Sequence, residues 1–148
     1  MTPGPVALAA LEAARAAERE QTIYYRALAG LAEEGGDAAA AERINGLLAD
    51  EQHHFSRLSA RMMEVGHAPT EAPIRGNRTD GSHGGSNPAA TALNGWESVA
   101  REREHAEIER YESMLRLPLD DRTRAMIDEI LASERRHARE LGGKWMGA

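Results

Sequence analysis

Two stretches of this chain repeat one pattern, and the repeat limits what the chain can fold into. Ile44-Asn45-Gly46-Leu47-Leu48-Ala49-Asp50-Glu51-Gln52-His53-His54 aligns with Ile127-Asp128-Glu129-Ile130-Leu131-Ala132-Ser133-Glu134-Arg135-Arg136-His137. In each, apolar residues recur at three- and four-residue intervals, the period of one face of an α-helix. Each ends in Glu-x-x-His, which sets a carboxylate and an imidazole one turn apart on that face. Arg15, Glu18 and Tyr25 repeat in the same way as Arg101, Glu104 and Tyr111. The chain therefore reads as two copies of a helical hairpin, each carrying acid on its apolar side.

Local signals divide the chain into four helices. Ala, Leu, Glu and Arg are abundant and β-branched residues sparse, which favours helix throughout. Pro5 suits the first turn of a helix over about 5–34, stopped by Gly35-Gly36. Asp37 caps a second helix, about 37–65, that ends before Gly66. Glycines and prolines then break every period over about 66–87, which reads as a loop. Asn87-Pro88 opens a third helix, about 88–117, whose firm start Asn94-Gly95 can delay by a turn. Asp120 or Asp121 caps the fourth, about 120–142.

Connection lengths decide the topology. The short links between helices 1 and 2, and between 3 and 4, force antiparallel pairs. The link between helices 2 and 3 is long enough, at about 3.3 Å per residue, to span a bundle end to end. The expected fold is all-α: residues 1–148 as a single four-helix bundle of two antiparallel hairpins joined by a long crossover loop, the ferritin-like arrangement among known bundles.

Each helix carries a stripe that should be apolar and is acidic in its middle. Leu11, Glu18, Tyr25 and Leu28 mark it on helix 1, and Ile44, Glu51, His54, Leu58 and Met62 on helix 2. Ala100, Glu104, Glu107 and Tyr111 mark it on helix 3, and Ile127, Ile130, Glu134, His137 and Leu141 on helix 4. Counted from the tight turns at 1.5 Å per residue, the four glutamates fall within a few ångströms of one height. Bare buried carboxylates cost several kcal/mol each and repel one another. A marginally stable bundle cannot hold four of them uncompensated, so cations belong between them.

The remaining bulk features exclude other classes. The formal charge is −6 with no basic stripe, which argues against nucleic acid as a partner. No apolar run reaches the roughly 20 residues of a membrane span, and the N-terminus lacks the apolar core of a signal peptide, so a cytoplasmic location is expected. There is no cysteine, hence no disulfide, iron–sulfur cluster or rubredoxin-type iron site. Any transition metal must be held by Glu, Asp and His.

Glu-x-x-His alone is a weak signal, and this sequence holds it four times. Glu64/His67 falls at a helix end, Glu102 points away from Glu104, and His53 is two residues from Glu51, so these read as surface residues. Glu51/His54 and Glu134/His137 lie mid-helix on the core stripe. Together with one Glu each from helices 1 and 3, they match the ligand set of di-iron and di-manganese carboxylate bundles.

On these residues the chain resembles the ferritin-like superfamily, and within it rubrerythrin most, over all four helices. Glu18 with Tyr25 and Glu51-Gln52-His53-His54 look like the first half of a rubrerythrin di-iron site. Glu104-His105-Ala106-Glu107 is similar to the family's Glu-x-x-Glu, which implies Glu107 as a seventh candidate ligand; a solvated or outer glutamate is the plainer reading. Gln21 takes the corresponding place on helix 1. Asp50 is placed as in related sites to orient His137, with Ser133 its weaker equivalent for His54; an exposed Asp50 is the alternative. Tyr25 and Tyr111 read as core residues bonded to carboxylates rather than as radical sites. The resemblance lacks the rubredoxin-like domain, so electrons are expected from a separate donor protein. It also lacks the fifth helix of the large storage cages, which favours redox chemistry in a small homo-oligomer, a dimer first.

The expected function is a non-haem di-iron redox protein that reduces peroxide or dioxygen, peroxidase- or ferroxidase-like, with two Fe ions. The alternatives are iron binding or storage, as cargo of a larger shell, and di-manganese catalase chemistry with Mn. A metal-free helical interaction module that keeps the stripe as a relic is the dullest alternative, and the presence of all six ligand candidates argues against it.

Overall fold

The computed structural model describes residues 4–69 and 93–144. Among these the chain is all-helical, with α1 over Pro5–Glu34, α2 over Ala38–Glu64, α3 over Trp96–Met114 and α4 over Asp121–Arg139. The expected crossover at about 66–87 and the Asn87-Pro88 cap lie almost wholly outside the described residues. No helix among the described residues is long and apolar enough to cross a membrane.

Helix ends follow local chemistry. Pro5 begins α1, where its missing N–H costs nothing. At the other end Gly36 takes φ +75°, its N–H bonding Glu33 O at 3.2 Å while Asp37 N–H bonds Ala32 O at 2.9 Å. This paired arrangement needs a left-handed residue, which glycine adopts without a Cβ clash. Gly66, at φ +80°, closes α2 in the same manner. Asp37 also caps α2, its Oδ1 accepting from Ala40 N–H at 3.1 Å, so one residue both leaves α1 and starts α2. Asp120 caps α4 by accepting from Thr123 N–H at 3.1 Å.

Two boundaries differ from the expected ones. The α3 helix is firm only from Trp96, after Gly95 turns the chain at φ +74°. It ends at Met114 rather than near 117, because Leu117 N–H bonds back three residues to Met114 O and Pro118 has no N–H to continue. The carbonyls of Leu115 and Leu117 are taken by the Arg124 guanidinium instead, at 2.8 and 3.0 Å. At the far end of α4 the last turn widens to a π-turn over Glu140–Lys144.

Side-chain contacts fix the directions. Glu33 meets Asn45 and Glu18 meets His54, so α1 and α2 are antiparallel. Glu112 meets Arg135 and Glu104 meets His137, so α3 and α4 are antiparallel too. The Arg43–Glu97 pair, 2.8 Å, sets the starts of α2 and α3 side by side, so these helices run parallel. The ends that residues 70–92 join thus lie at opposite ends of the bundle.

The core is divided. One apolar cluster gathers Tyr25, Leu28, Ile44, Leu47, Trp96 and Ala100 among others. The second gathers Leu11, Leu58, Met62, Tyr111, Ile127 and Ile130 among others. Between them runs a layer of carboxylates and imidazoles. At the second end, Arg61 joins the hairpins: its Nη2 meets Asp120 Oδ2 at 2.6 Å and its Nε donates to Thr123 Oγ1 at 2.9 Å. This buried pair joins residues 59 positions apart and has little local signal. The available signal was Arg61 continuing the buried face of α2 between Leu58 and Met62.

Candidate metal centre

Each helix sends one glutamate into the layer because the three- and four-residue stripe that buries its neighbours passes through it. Glu18, Glu51, Glu104 and Glu134 are all 0% exposed, and His54 and His137 are buried beside them. The donor atoms form two groups, each within 4.8 Å: Glu18, Glu51, His54 and Glu134 in one, and Glu51, Glu104, Glu134 and His137 in the other. Glu51 and Glu134 belong to both. The six residues picked from sequence as the core of the ligand set therefore meet in one layer.

The histidines face inward through the same atom. His54 Nδ1 lies 3.1 Å from Glu51 Oε1, 3.5 Å from Glu134 Oε2 and 3.7 Å from Glu18 Oε2. His137 Nδ1 lies 3.2 Å from Glu134 Oε1, 3.4 Å from Glu104 Oε1 and 3.5 Å from Glu51 Oε2. The two rings stand 6.4 Å apart. Outer partners come from the opposite hairpin: Tyr25 Oη donates to Glu104 Oε2 at 2.8 Å, and Tyr111 Oη to Glu18 Oε2 at 2.5 Å. Asp50 Oδ2 lies 2.8 Å from His137 Nε2, the nitrogen that faces away from the carboxylates.

Each of the four glutamates keeps one buried oxygen without a hydrogen-bond partner: Glu18 Oε1, Glu51 Oε2, Glu104 Oε1 and Glu134 Oε2. A buried acceptor without a partner costs about 1–3 kcal/mol, more when charged. Four in one layer make sense when cations complete them. The donor set fits such ions, since ligands about 2.0–2.2 Å from a shared metal stand roughly 3–3.5 Å from one another.

The charges carry the imprint of this crowding. Burial pushes Glu51 far up, and the Glu134 and Glu18 charges add to it. Burial and the Glu104 and Glu18 charges raise Glu134 to about 8, against the hydrogen bonds of His137 and His54. Burial works against ionisation of Glu104 as well, yet the His137 imidazole and the Glu134 and Glu51 carboxyls beside it hold it down at about 2. Glu18 is likewise lowered, with His54, Glu51 and Tyr111 outweighing burial. Both histidines rise despite burial, His54 to about 10 on Glu134 and Glu18, and His137 on Glu104, Glu134 and Glu51. Burial and the bonded carboxylates push the Tyr25 and Tyr111 hydroxyls upward, so they stay protonated donors.

The other candidates lie around this layer. Glu107 is buried on α3 with Oε1 unpartnered, but it is not among the donors of either group. Burial and the Glu18 charge raise it to about 7, while Arg110 opposes. Gln21 occupies the matching place on α1, and its amide donates to Glu104 Oε2 at 3.3 Å while its Oε1 accepts from Arg103 Nε at 2.8 Å. The repeat marks the place of Gln21 on α1, but its bond to Glu104 joins two hairpins and has no sequence signal. Arg15, one turn before Glu18, donates through Nε to Ser59 Oγ at 2.6 Å and lies over the Phe55 ring. His53, Glu102 and His105 are exposed, and His67 lies 3.4 Å from Glu12.

Fold and site together define an all-helical protein with a buried carboxylate–imidazole cluster able to hold metal. No family model matches the chain, and neither the curated proteins nor the solved structures include a match to it.

Proposed function

We propose that this is a ferritin-like, rubrerythrin-like protein that holds two iron ions and reduces peroxide or dioxygen with electrons from a separate donor protein. The observation that carries this reading is the sharing of Glu51 and Glu134 between two donor groups, each completed by its own glutamate and histidine. Four carboxylates with two neutral imidazoles carry a charge that two divalent cations balance. A mixed oxygen–nitrogen set of this kind suits Fe(II) or Mn(II) rather than softer ions. When bound, such ions supply reversible one-electron redox chemistry to a small oxidant.

The residues have separable roles. Glu51 and Glu134 would be donors to both ions, with Glu18 and His54 completing one position and Glu104 and His137 the other. Tyr25 holds Oε2 of Glu104 and leaves the Oε1 that faces His137 for metal, while Tyr111 holds Oε2 of Glu18, the oxygen on the His54 side. Asp50 fixes the ring of His137. The two apolar clusters above and below exclude bulk water from the layer.

The test is metal analysis of the purified chain and of Glu51→Ala, followed by peroxide consumption with a generic reductant. Two irons per chain, lost in the variant, with peroxide turnover, support the reading. Iron uptake well beyond two per chain assigns storage instead, and manganese with oxygen release assigns catalase chemistry. A chain that takes up no transition metal ends it.

A further inference from the structure

We propose that the two metal positions are unequal, the one at Glu104 and His137 being the tighter and the one at Glu18 and His54 the more exchangeable, with Asp50 and Gln21 as the positioning residues that make the difference. This rests on the two-metal reading above and adds an order of filling to it. The paired helices repeat the ligands and the tyrosines that bond them, but not the residues at 50 and 133 or at 21 and 107. The outer nitrogen of His137 has the Asp50 carboxylate at 2.8 Å. Among the described residues, the ion pairs of His54 all run through its inward Nδ1. Ser133, at the place matching Asp50 in the repeat, has its hydroxyl accepting from Arg136 at 3.4 Å.

The carboxylates differ likewise. Glu104 Oε2 receives two donors, Tyr25 at 2.8 Å and Gln21 at 3.3 Å, and Gln21 is itself held by Arg103, whose guanidinium lies 4.1 Å over the Tyr24 ring. Glu18 Oε2 receives Tyr111. Glu107 stands at the place matching Gln21, and a carboxylate there offers no amide donor. A ligand already held in its binding geometry loses less freedom when the ion arrives, and an anionic partner makes an imidazole a better donor.

Two adjacent cations repel, so stepwise binding alone does not reveal unequal positions. The experiment therefore measures Co(II) binding by calorimetry, with visible absorption as a second readout, in His54→Ala and His137→Ala. Each variant keeps one complete position. His54→Ala is expected to bind one Co(II) roughly 10–100-fold tighter than His137→Ala. Adding Asp50→Asn to His54→Ala should remove most of that advantage, and adding Ser133→Asp to His137→Ala should tighten its position. Circular dichroism melts check that each variant folds. Equal affinities, or the reverse order, overturn the inference while leaving the two-metal reading intact. An advantage untouched by Asp50→Asn and by Gln21→Ala removes these residues as its cause. Failure of the parent chain to take up any Co(II) defeats the two-metal reading itself.

Discussion

The Tyr25 hydroxyl on α1 donates to Glu104 Oε2 on α3 at 2.8 Å, and Tyr111 on α3 returns the bond to Glu18 on α1. Each hairpin thus orients a carboxylate belonging to the other. A bond to a charged acceptor contributes about 1.5–3 kcal/mol, and its loss leaves a buried oxygen bare. Tyr25→Phe is expected to lower the stability of the metal-free protein by that order, measured by urea denaturation. Metal affinity should fall roughly 10–100-fold, as for other outer partners.

Shared and unshared ligands should separate by stoichiometry. Glu51 and Glu134 serve both donor groups, whereas Glu18 and Glu104 serve one each. Glu51→Ala should lose both ions, and Glu18→Ala should retain one, as measured by metal analysis after gel filtration.

The same crowding makes the site a stability cost when metal is withheld. Glu51 is fully buried among like charges, and its Oε2 lacks a hydrogen-bond partner. Glu51→Gln removes a buried acid without changing its shape. The metal-free variant is expected to be more stable than its parent by about 1–4 kcal/mol, while metal no longer protects it. Thermal melts with and without chelator check both halves.

The metal-free protein should be less stable at pH 8 than near pH 5. Glu134 titrates at about 8 in the folded chain against 4.5 for a free glutamate, so its stabilising contribution is present below 4.5 and lost as pH rises to about 8. His54, raised from 6.5 to about 10, loses its contribution over that higher interval. Glu104 works in the opposite sense: lowered to about 2, it contributes above 4.5 and that is lost on acidification. Metal loading should reverse the upper limb, because ligands must shed protons to bind. Urea midpoints across this range, with chelator or with metal, measure both curves.

Away from the site, Arg61→Ala should break the pair with Asp120 that ties α2 to the start of α4. Removing one partner of a buried pair costs about 3–5 kcal/mol. Chemical denaturation should show that loss, with metal stoichiometry unchanged in the folded fraction.

Much of this was legible in the residues. The period of three and four marked the helices, and Gly36 and Asp37 marked the first turn because only local backbone geometry decides it. Glu18, Glu51, His54, Glu104, Glu134 and His137 stood out because acid on an apolar stripe is costly unless it is compensated. The Gln21–Glu104 bond and the Arg61–Asp120 pair were not legible, since each joins side chains from different hairpins. The firm start of α3 at Trp96 depended on the conformation taken by Gly95, for which the sequence left two starting points open.

The order of residues along the chain thus determined which face of each helix is buried and which side chains carry acid, because helical periodicity is a local property. Tertiary packing alone decided that Glu51 and Glu134 are held in common, that Gln21 bonds Glu104 and that Glu107 stands outside both donor groups. Those relations depend on how far apart helices sit and how they rotate against each other. No local pattern encodes a distance between segments that meet only in the folded state.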